Sequence, residues 1–319
     1  MKNIYDEISK IGIVPVVVID NADDAAPLAK ALWDGGLPCA EVTFRTAAAE
    51  QAIKNISEAY PQMLVGAGTV LTTEQVDQAV AAGAKFIVAP GLNPTVVSYC
   101  VEKEIPVIPG CCTPSDIERA LSLGLTAVKF FPAEACGGVK MLKAIGAPYS
   151  KVKFMPTGGI NADNLGSYLA LPQVLACGGS WMVDKKLIAA GAFDEITART
   201  KAAVAKMLDY KFERVVLNAS DAASADSIAY HFTYMFDFAK KETANSVLAG
   251  SAIEIAKQAV GTSGQLVISA SNLERAVYHL NRANVITDPD TAEYDAKGKM
   301  TAIDILGELN GFALRLVCR

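Results

Sequence analysis

From the N-terminus to about residue 209, short apolar and β-branched runs alternate with alanine-rich helical stretches, and the pattern repeats eight times. The strand candidates are Ile13–Ile19, Ala40–Thr43, Leu64–Gly68, Phe86–Ala89, Val107–Pro109, Ala127–Phe130, Phe154–Pro156 and Val174–Cys177. Between them, Asp23–Trp33, Ala47–Tyr60, Thr73–Ala82, Pro94–Glu102, Pro114–Leu123 and Ala162–Leu169 read as helices. Strands apolar on both faces suit a parallel sheet covered by helices. Eight such units in roughly 200 residues is the lower limit for a (β/α)8 TIM barrel. An open doubly wound sheet is the alternative. The repeat count of eight, and the lack of a GxGxxG after the first strand, set it behind.

The composition changes near Lys211. Phe212–Asn218 reads as a strand and Ser224–Phe238 as an amphipathic helix, with weaker strand candidates through Ala244–Ala259. A second cycle follows: strand Gln265–Ala270, helix Asn272–Asn284, then strands around Glu293–Asp295, Met300–Leu306 and Phe312–Cys318, with Asn310-Gly311 as a tight hairpin signal. The expected organisation is an α/β barrel over residues 1–210 and a smaller α+β domain of paired βαβββ modules over residues 211–319.

The net charge of −5 gives no sign of nucleic-acid or membrane binding. Met1-Lys2-Asn3-Ile4-Tyr5-Asp6-Glu7 does not resemble an export signal, and no apolar run is long enough to span a bilayer. The seven cysteines are scattered, and the one close pair, Cys111-Cys112, consists of sequence neighbours. Free thiols in a reducing cytoplasm are the expectation.

In a (β/α)8 barrel, function collects at the C-terminal ends of the strands. Polar groups and glycines lie at most of these ends. Lys129 stands out, because it is a lone cation in the apolar run Ala127-Val128-Lys129-Phe130-Phe131. Lysine is seldom buried without a partner or a purpose, and a desolvated amine can attack a ketone to form a Schiff base. Glu41 shares a strand face with Thr43. Pointing into the barrel beside a lysine, it would relay protons during iminium formation, or else form a buried ion pair. Glycine turns follow the seventh and eighth strands, Thr157-Gly158-Gly159 and Gly178-Gly179-Ser180, where backbone N–H groups of this fold commonly receive phosphate.

These residues lie in motifs that closely resemble the 2-keto-3-deoxy-6-phosphogluconate (KDPG) and 4-hydroxy-2-oxoglutarate (KHG) aldolases. The motifs are Glu41-Val42-Thr43-Phe44-Arg45-Thr46, Val65-Gly66-Ala67-Gly68-Thr69-Val70-Leu71, Pro90-Gly91-Leu92, Val128-Lys129-Phe130-Phe131-Pro132-Ala133-Glu134, Pro156-Thr157-Gly158-Gly159-Ile160 and Gly178-Gly179-Ser180-Trp181. They occur in family order and spacing. The resemblance implies Lys129 as Schiff-base nucleophile and Glu41 as general acid/base. It implies Arg45 and Thr69 on the substrate carboxylate, Thr157 beside pyruvate, and Gly158, Gly159 and Ser180 on the phosphate. Pro90 and Phe131 would shape the pocket. It further implies a lyase of Entner–Doudoroff carbohydrate metabolism that needs no cofactor or metal, since the iminium is the electron sink. Relatives are commonly trimers, so a homo-oligomer is expected.

One departure is the end of the first strand, Val16-Val17-Val18-Ile19-Asp20, where many relatives carry a basic residue. It leaves room for 4-hydroxy-2-oxoglutarate, or for the phosphogalactonate epimer, as substrate. Phe212–Arg319 resembles the glyoxalase/vicinal-oxygen-chelate superfold. At its metal-ligand positions stand Arg214 and Arg315, which cannot ligate a cation, and Gln265 alone makes no site. His231 and His279 read as helix packing or surface residues, the Tyr230, Tyr234 and Phe238 stripe as core, and Cys111 and Cys112 as bystander thiols. Lys140 and Lys143 read as solvated helix charges. The rival readings are a non-catalytic keto-acid-binding protein and a second activity in residues 212–319.

Overall fold

The computed structural model describes residues 4–319. Met1–Asn3, part of the stretch inspected for an export signal, lie outside the described residues. The chain divides into two compact units, one ending at Met207 and the other spanning Leu208–Arg319.

The first unit opens with α1 (Ile4–Ile11) and then runs β1 (Ile13–Val17), α2 (Ala25–Asp34), β2 (Cys39–Thr43), α3 (Ala49–Ala59), β3 (Leu64–Gly68), α4 (Thr73–Ala81), β4 (Phe86–Val88) and α5 (Pro94–Glu102). Next come β5 (Val107–Ile108), β6 (Gly110–Cys111), α6 (Pro114–Ser122), β7 (Ala127–Phe130), α7 (Gly138–Gly146), β8 (Lys153–Pro156), α8 (Leu165–Leu169) and β9 (Cys177–Gly179), then α9 (Lys185–Ala189) and α10 (Phe193–Leu208). Two parallel runs, β5-β4-β3-β2-β1-β9 and β6-β7-β8, make the wall. Pro109, which lacks an N–H, breaks one barrel strand into β5 and β6, and its carbonyl still accepts from Lys129 N at 2.9 Å. Bridges Phe154↔Val174 and Thr157↔Gly178 join β8 to the β9 segment and close the ring. The result is a TIM-like α/β fold.

Strand and helix caps are legible locally. Thr72, Asn93 and Thr113 cap α4, α5 and α6 through their side chains, and Pro94 and Pro114 sit at the first helical turn. The last barrel strand differs from expectation. Val174 makes only the bridge to Phe154, and the ladder on β1 begins at Cys177, whose N–H donates to Gly12 O. Apolarity predicts burial of 174–176, which is observed, but only the register with β1 decides where pairing starts.

In the second unit, β10 (Lys211–Asn218), α11 (Ala222–Phe236), β11 (Lys240–Glu242), β12 (Ser246–Ala249) and β13 (Ile253–Ala256) form one βαβββ run. β14 (Gly264–Ala270), α12 (Leu273–Arg282), β15 (Thr287–Tyr294), β16 (Met300–Leu309) and β17 (Phe312–Cys318) repeat it. The sheet order β11-β12-β13-β10-β14-β17-β16-β15 sets the first strands of the two runs side by side and antiparallel. The Asn310-Gly311 turn joins β16 to β17, both residues at positive φ (51° and 83°), as a two-residue hairpin of type I′ requires.

The aromatic stripe on α11 is not core. Tyr230, Tyr234 and Phe238 are 57%, 77% and 39% exposed. The helix instead buries Ala225 and Ala229, with Ile228 and Phe232 beside them, against Val247, Ala249, Ile253 and Ile255. Small residues let the helix approach the sheet on that side, which rotates the tyrosines outward, where they stack on each other. Phe238 falls past the helix end, because Asp237 takes a left-handed conformation. His231 is exposed on α11 and His279 is buried on α12. Lys140 and Lys143 are exposed.

Candidate active site

Lys129 is the third residue of β7, and its side chain is 7% exposed. In the closed ring, β2 stands diametrically opposite β7. Glu41, fully buried in the middle of β2, reaches across the lumen so that Lys129 Nζ donates to Glu41 Oε1 at 3.1 Å. The other carboxylate oxygen, Oε2, is buried with no protein hydrogen-bond partner among the described residues. Such orphan groups are costly and concentrate where a protein does chemistry. The face of Phe131 lies 5.3 Å from Lys129 Nζ, inside cation–π range. Thr43, also buried, donates to Val17 O at 2.9 Å and secures the C-terminal end of β2.

The space for Glu41 comes from the neighbouring strand. A Cβ on Gly68 would lie 2.3 Å from Glu41 Oε1 and 2.8 Å from its Cγ. Gly68→Ala is expected to push the carboxylate off Lys129, costing roughly 1–3 kcal/mol of stability by overpacking. It should also lower kcat at least about tenfold. A melting curve and initial rates check this, and unchanged rates would mean that Glu41 has room to move.

The other residues singled out from sequence sit on one rim, at the C-terminal ends of the strands. Arg45 follows β2, and its Nε donates to Thr69 Oγ1 at 3.3 Å. Thr69, just after β3, has φ +57°, an outlier for a β-branched residue and a mark of a constrained site. Pro90 follows β4, and its carbonyl presses against Gly110, where a Cβ would lie 2.0 Å away. Phe131 follows β7. Thr157 follows β8, is buried, and fills the space beside Gly178, where a Cβ would meet its Oγ1 at 2.3 Å. Gly158 and Gly159 both have positive φ, 99° and 80°. Ser180 follows β9 and is exposed.

Asp20 is answered by a lysine that sequence reading passed over: Lys185 Nζ lies 2.7 Å from Asp20 Oδ2, so the acidic turn is charge-balanced. Both partners are more than half exposed, so the pair adds little stability. Sequence reading also missed the approach of Cys112 Sγ to Cys136 Sγ at 3.3 Å, a contact between loops 24 residues apart. The Cys136 contact, with burial and Asp116 behind it, raises the Cys112 thiol above its ordinary value, which disfavours the nucleophilic thiolate. On the second unit, Arg214 pairs with Glu254, while Arg315 pairs with Asp304 at 2.8 Å and with Glu293. Among the described residues, no group of three or more His, Cys, Asp or Glu side chains is placed to hold a metal, and no helix is long and apolar enough to cross a membrane.

A TIM-like barrel holding a buried amine–carboxylate pair under a rim of hydrogen-bond donors has the architecture of a carbonyl-chemistry enzyme. The chain belongs to the KDPG and KHG aldolase family, whose model matches residues 4–199, and proteins so named are carbon–carbon lyases. It is 52% identical over 198 residues to the 2-dehydro-3-deoxy-phosphogluconate aldolase of Treponema pallidum, covering 62% of this chain and 94% of that protein. It is 46% identical over 192 residues to the KHG/KDPG aldolase of Escherichia coli K12, covering 60% and 90%. Among solved structures it resembles the KDPG aldolase of Legionella pneumophila, in which pyruvate was captured at low pH as a covalent carbinolamine intermediate. There the TM-score is 0.62 at 41% identity, with 64% of this chain and 99% of that chain covered. The family match ends at residue 199, before the second unit begins.

Proposed function

We propose that the barrel is a Schiff-base aldolase that cleaves 2-keto-3-deoxy-6-phosphogluconate to pyruvate and glyceraldehyde 3-phosphate. The observation that carries this reading is the buried Lys129–Glu41 pair, with one carboxylate oxygen left unpartnered. Proton transfer along the 3.1 Å hydrogen bond leaves Lys129 as a free amine and Glu41 as an acid. The amine adds to the C2 ketone, and Glu41 protonates the departing hydroxyl of the carbinolamine as water leaves. The iminium is then the electron sink. Glu41, directly or through water, takes the C4 hydroxyl proton, the C3–C4 bond breaks, and the aldehyde departs. Protonation and hydrolysis of the enamine on Lys129 release pyruvate. Arg45 and Thr69 bind the carboxylate, Thr157 lines the pyruvate site, and Pro90 and Phe131 shape its walls. Gly158, Gly159 and Ser180 receive the phosphate.

The alternative reading takes 4-hydroxy-2-oxoglutarate as the substrate, favoured by the acidic residue at Asp20 and by relatives that carry both names. The charge balance at Asp20–Lys185 supports the phosphorylated one. The second unit is read as a glyoxalase/vicinal-oxygen-chelate-like domain without a metal site. Its tandem βαβββ order, and the arginines at strand positions 214 and 315, support that reading. The whole is read as a cytoplasmic homo-oligomer, a trimer by resemblance.

Pyruvate and borohydride, supplied to chain dialysed against EDTA, are expected to add one reduced pyruvate to the peptide holding Lys129. No adduct, or one on another lysine, would overturn the mechanism. A stoichiometric metal retained through that dialysis would overturn the metal-free reading of the second unit.

A further inference from the structure

Three consecutive carbonyl oxygens in the turn after β8 are held from outside the turn. Thr157 O accepts from Ala133 N at 2.8 Å and Gly158 O from Glu134 N at 3.0 Å. Gly159 O accepts from Asn164 Nδ2 at 3.0 Å. In a trans peptide, the C=O of one residue and the N–H of the next point opposite ways in a single plane. Drawing these three oxygens toward Ala133, Glu134 and Asn164 therefore turns the N–H groups of Gly158, Gly159 and Ile160 to the other side. The Gly158 N–H faces Gly178 O in the Thr157↔Gly178 bridge, and the N–H groups of Gly159 and Ile160 donate to no protein acceptor among the described residues. Successive N–H groups presented this way form an anion-binding concavity.

The holding groups are themselves held. Asn164 Oδ1 accepts from Asn161 N at 2.9 Å, which fixes the amide with its NH2 toward Gly159. The Glu134 side chain packs where a Cβ on Gly159 would sit, 2.6 Å from its Cγ. Its carboxylate accepts from the hydroxyl of Tyr168, whose side chain is fully buried. Burial first, and then the Glu134 carboxylate, push the Tyr168 hydroxyl above its ordinary value, so it remains a donor. Gly138 leaves the room for this contact, since a Cβ there would lie 3.1 Å from Glu134 Oε1.

We propose that Asn164 and the Glu134–Tyr168 pair are positioning residues for the anionic end of the substrate, holding the carbonyls of the turn back so that its N–H groups face a phosphoryl group. This rests on the reading of that turn as the phosphate end. Neither Asn164 nor Tyr168 touches the reacting atoms, so their loss is expressed in binding of the phosphorylated end and not in chemistry at Lys129.

Two variants test it. Asn164→Asp keeps the acceptor for Asn161 N–H, loses the donor to Gly159 O and sets a carboxylate against that carbonyl. Tyr168→Phe deletes one hydroxyl from a buried ring and leaves Glu134 without its donor. Steady-state constants are measured for 2-keto-3-deoxy-6-phosphogluconate and 4-hydroxy-2-oxoglutarate, with inorganic phosphate as inhibitor. KM for the phosphorylated substrate and Ki for phosphate are expected to rise about tenfold in each variant, the size of one lost hydrogen bond near a charge. The constants for the unphosphorylated substrate and borohydride trapping at Lys129 should stay about the same. Equal losses on both substrates would show a merely structural role and overturn the proposal. Wild-type KM and Ki in both variants would overturn it while leaving the phosphate reading intact. Wild-type chain that neither prefers the phosphorylated substrate nor is inhibited by phosphate would overturn both.

Discussion

Lys129→Ala is expected to reduce cleavage of any 2-keto-4-hydroxy acid to background and to abolish the borohydride adduct. The reason is chemical: among the described residues no other amine is bonded to Glu41, and without an iminium the C3–C4 bond has no electron sink. The variant also carries a physical cost. Glu41 is fully buried and one of its oxygens already lacks a partner, so removing the lysine strands the second as well. Breaking one side of a buried pair costs about 3–5 kcal/mol. Lost activity in this variant therefore needs a folding control. The double variant Lys129→Met with Glu41→Gln supplies one, because replacing both charges by neutral groups of similar size is expected to recover most of the melting temperature and none of the turnover. Activity retained in Lys129→Ala, measured by pyruvate release in a chain shown to be folded by circular dichroism, would refute the covalent mechanism.

Glu41→Gln has the second-largest expected effect and the opposite balance. The amide keeps the shape and can still accept from Lys129, so stability should change far less than in Lys129→Ala. The proton relay is lost, and general acid–base contributions of this kind are on the order of 10²–10⁴ in rate. kcat for cleavage should fall by that amount, while borohydride still traps pyruvate on Lys129, only more slowly. A fall below about tenfold would assign proton transfer to another group and leave Glu41 as a structural counter-ion, the alternative that spacing alone had left open.

Much of this site is legible in the sequence. The period of alternating apolar runs and helices follows from local backbone preferences and burial. A lone lysine in an apolar strand is anomalous because desolvating its charge is expensive. Thr69, Thr157 and Ser180 could be put on one rim because each directly follows a strand of a barrel whose strands all point the same way. Other features were illegible for equally physical reasons. The stripe on α11 had the right period and the wrong phase: alanines 225 and 229 decide which side approaches the sheet, and no hydropathy sum records closeness of approach. The partner of Asp20 comes from a helix 165 positions later, and Cys136 meets Cys112 only once adjacent strands align their loops.

The sequence by itself determined the eightfold alternation, the strand ends where chemistry collects and the residue types suited to it, because these depend on neighbours along the chain. The tertiary structure decided what depends on closing the ring: that Lys129 and Glu41, on opposite walls, meet at 3.1 Å over the space left by Gly68. It also decided that the turn at Thr157–Gly159 has its carbonyls drawn back by Ala133, Glu134 and Asn164. Hydrogen-bond direction is set in three dimensions, so a glycine pair in a sequence says that a turn can bend, and only its partners in space say which way its N–H groups face.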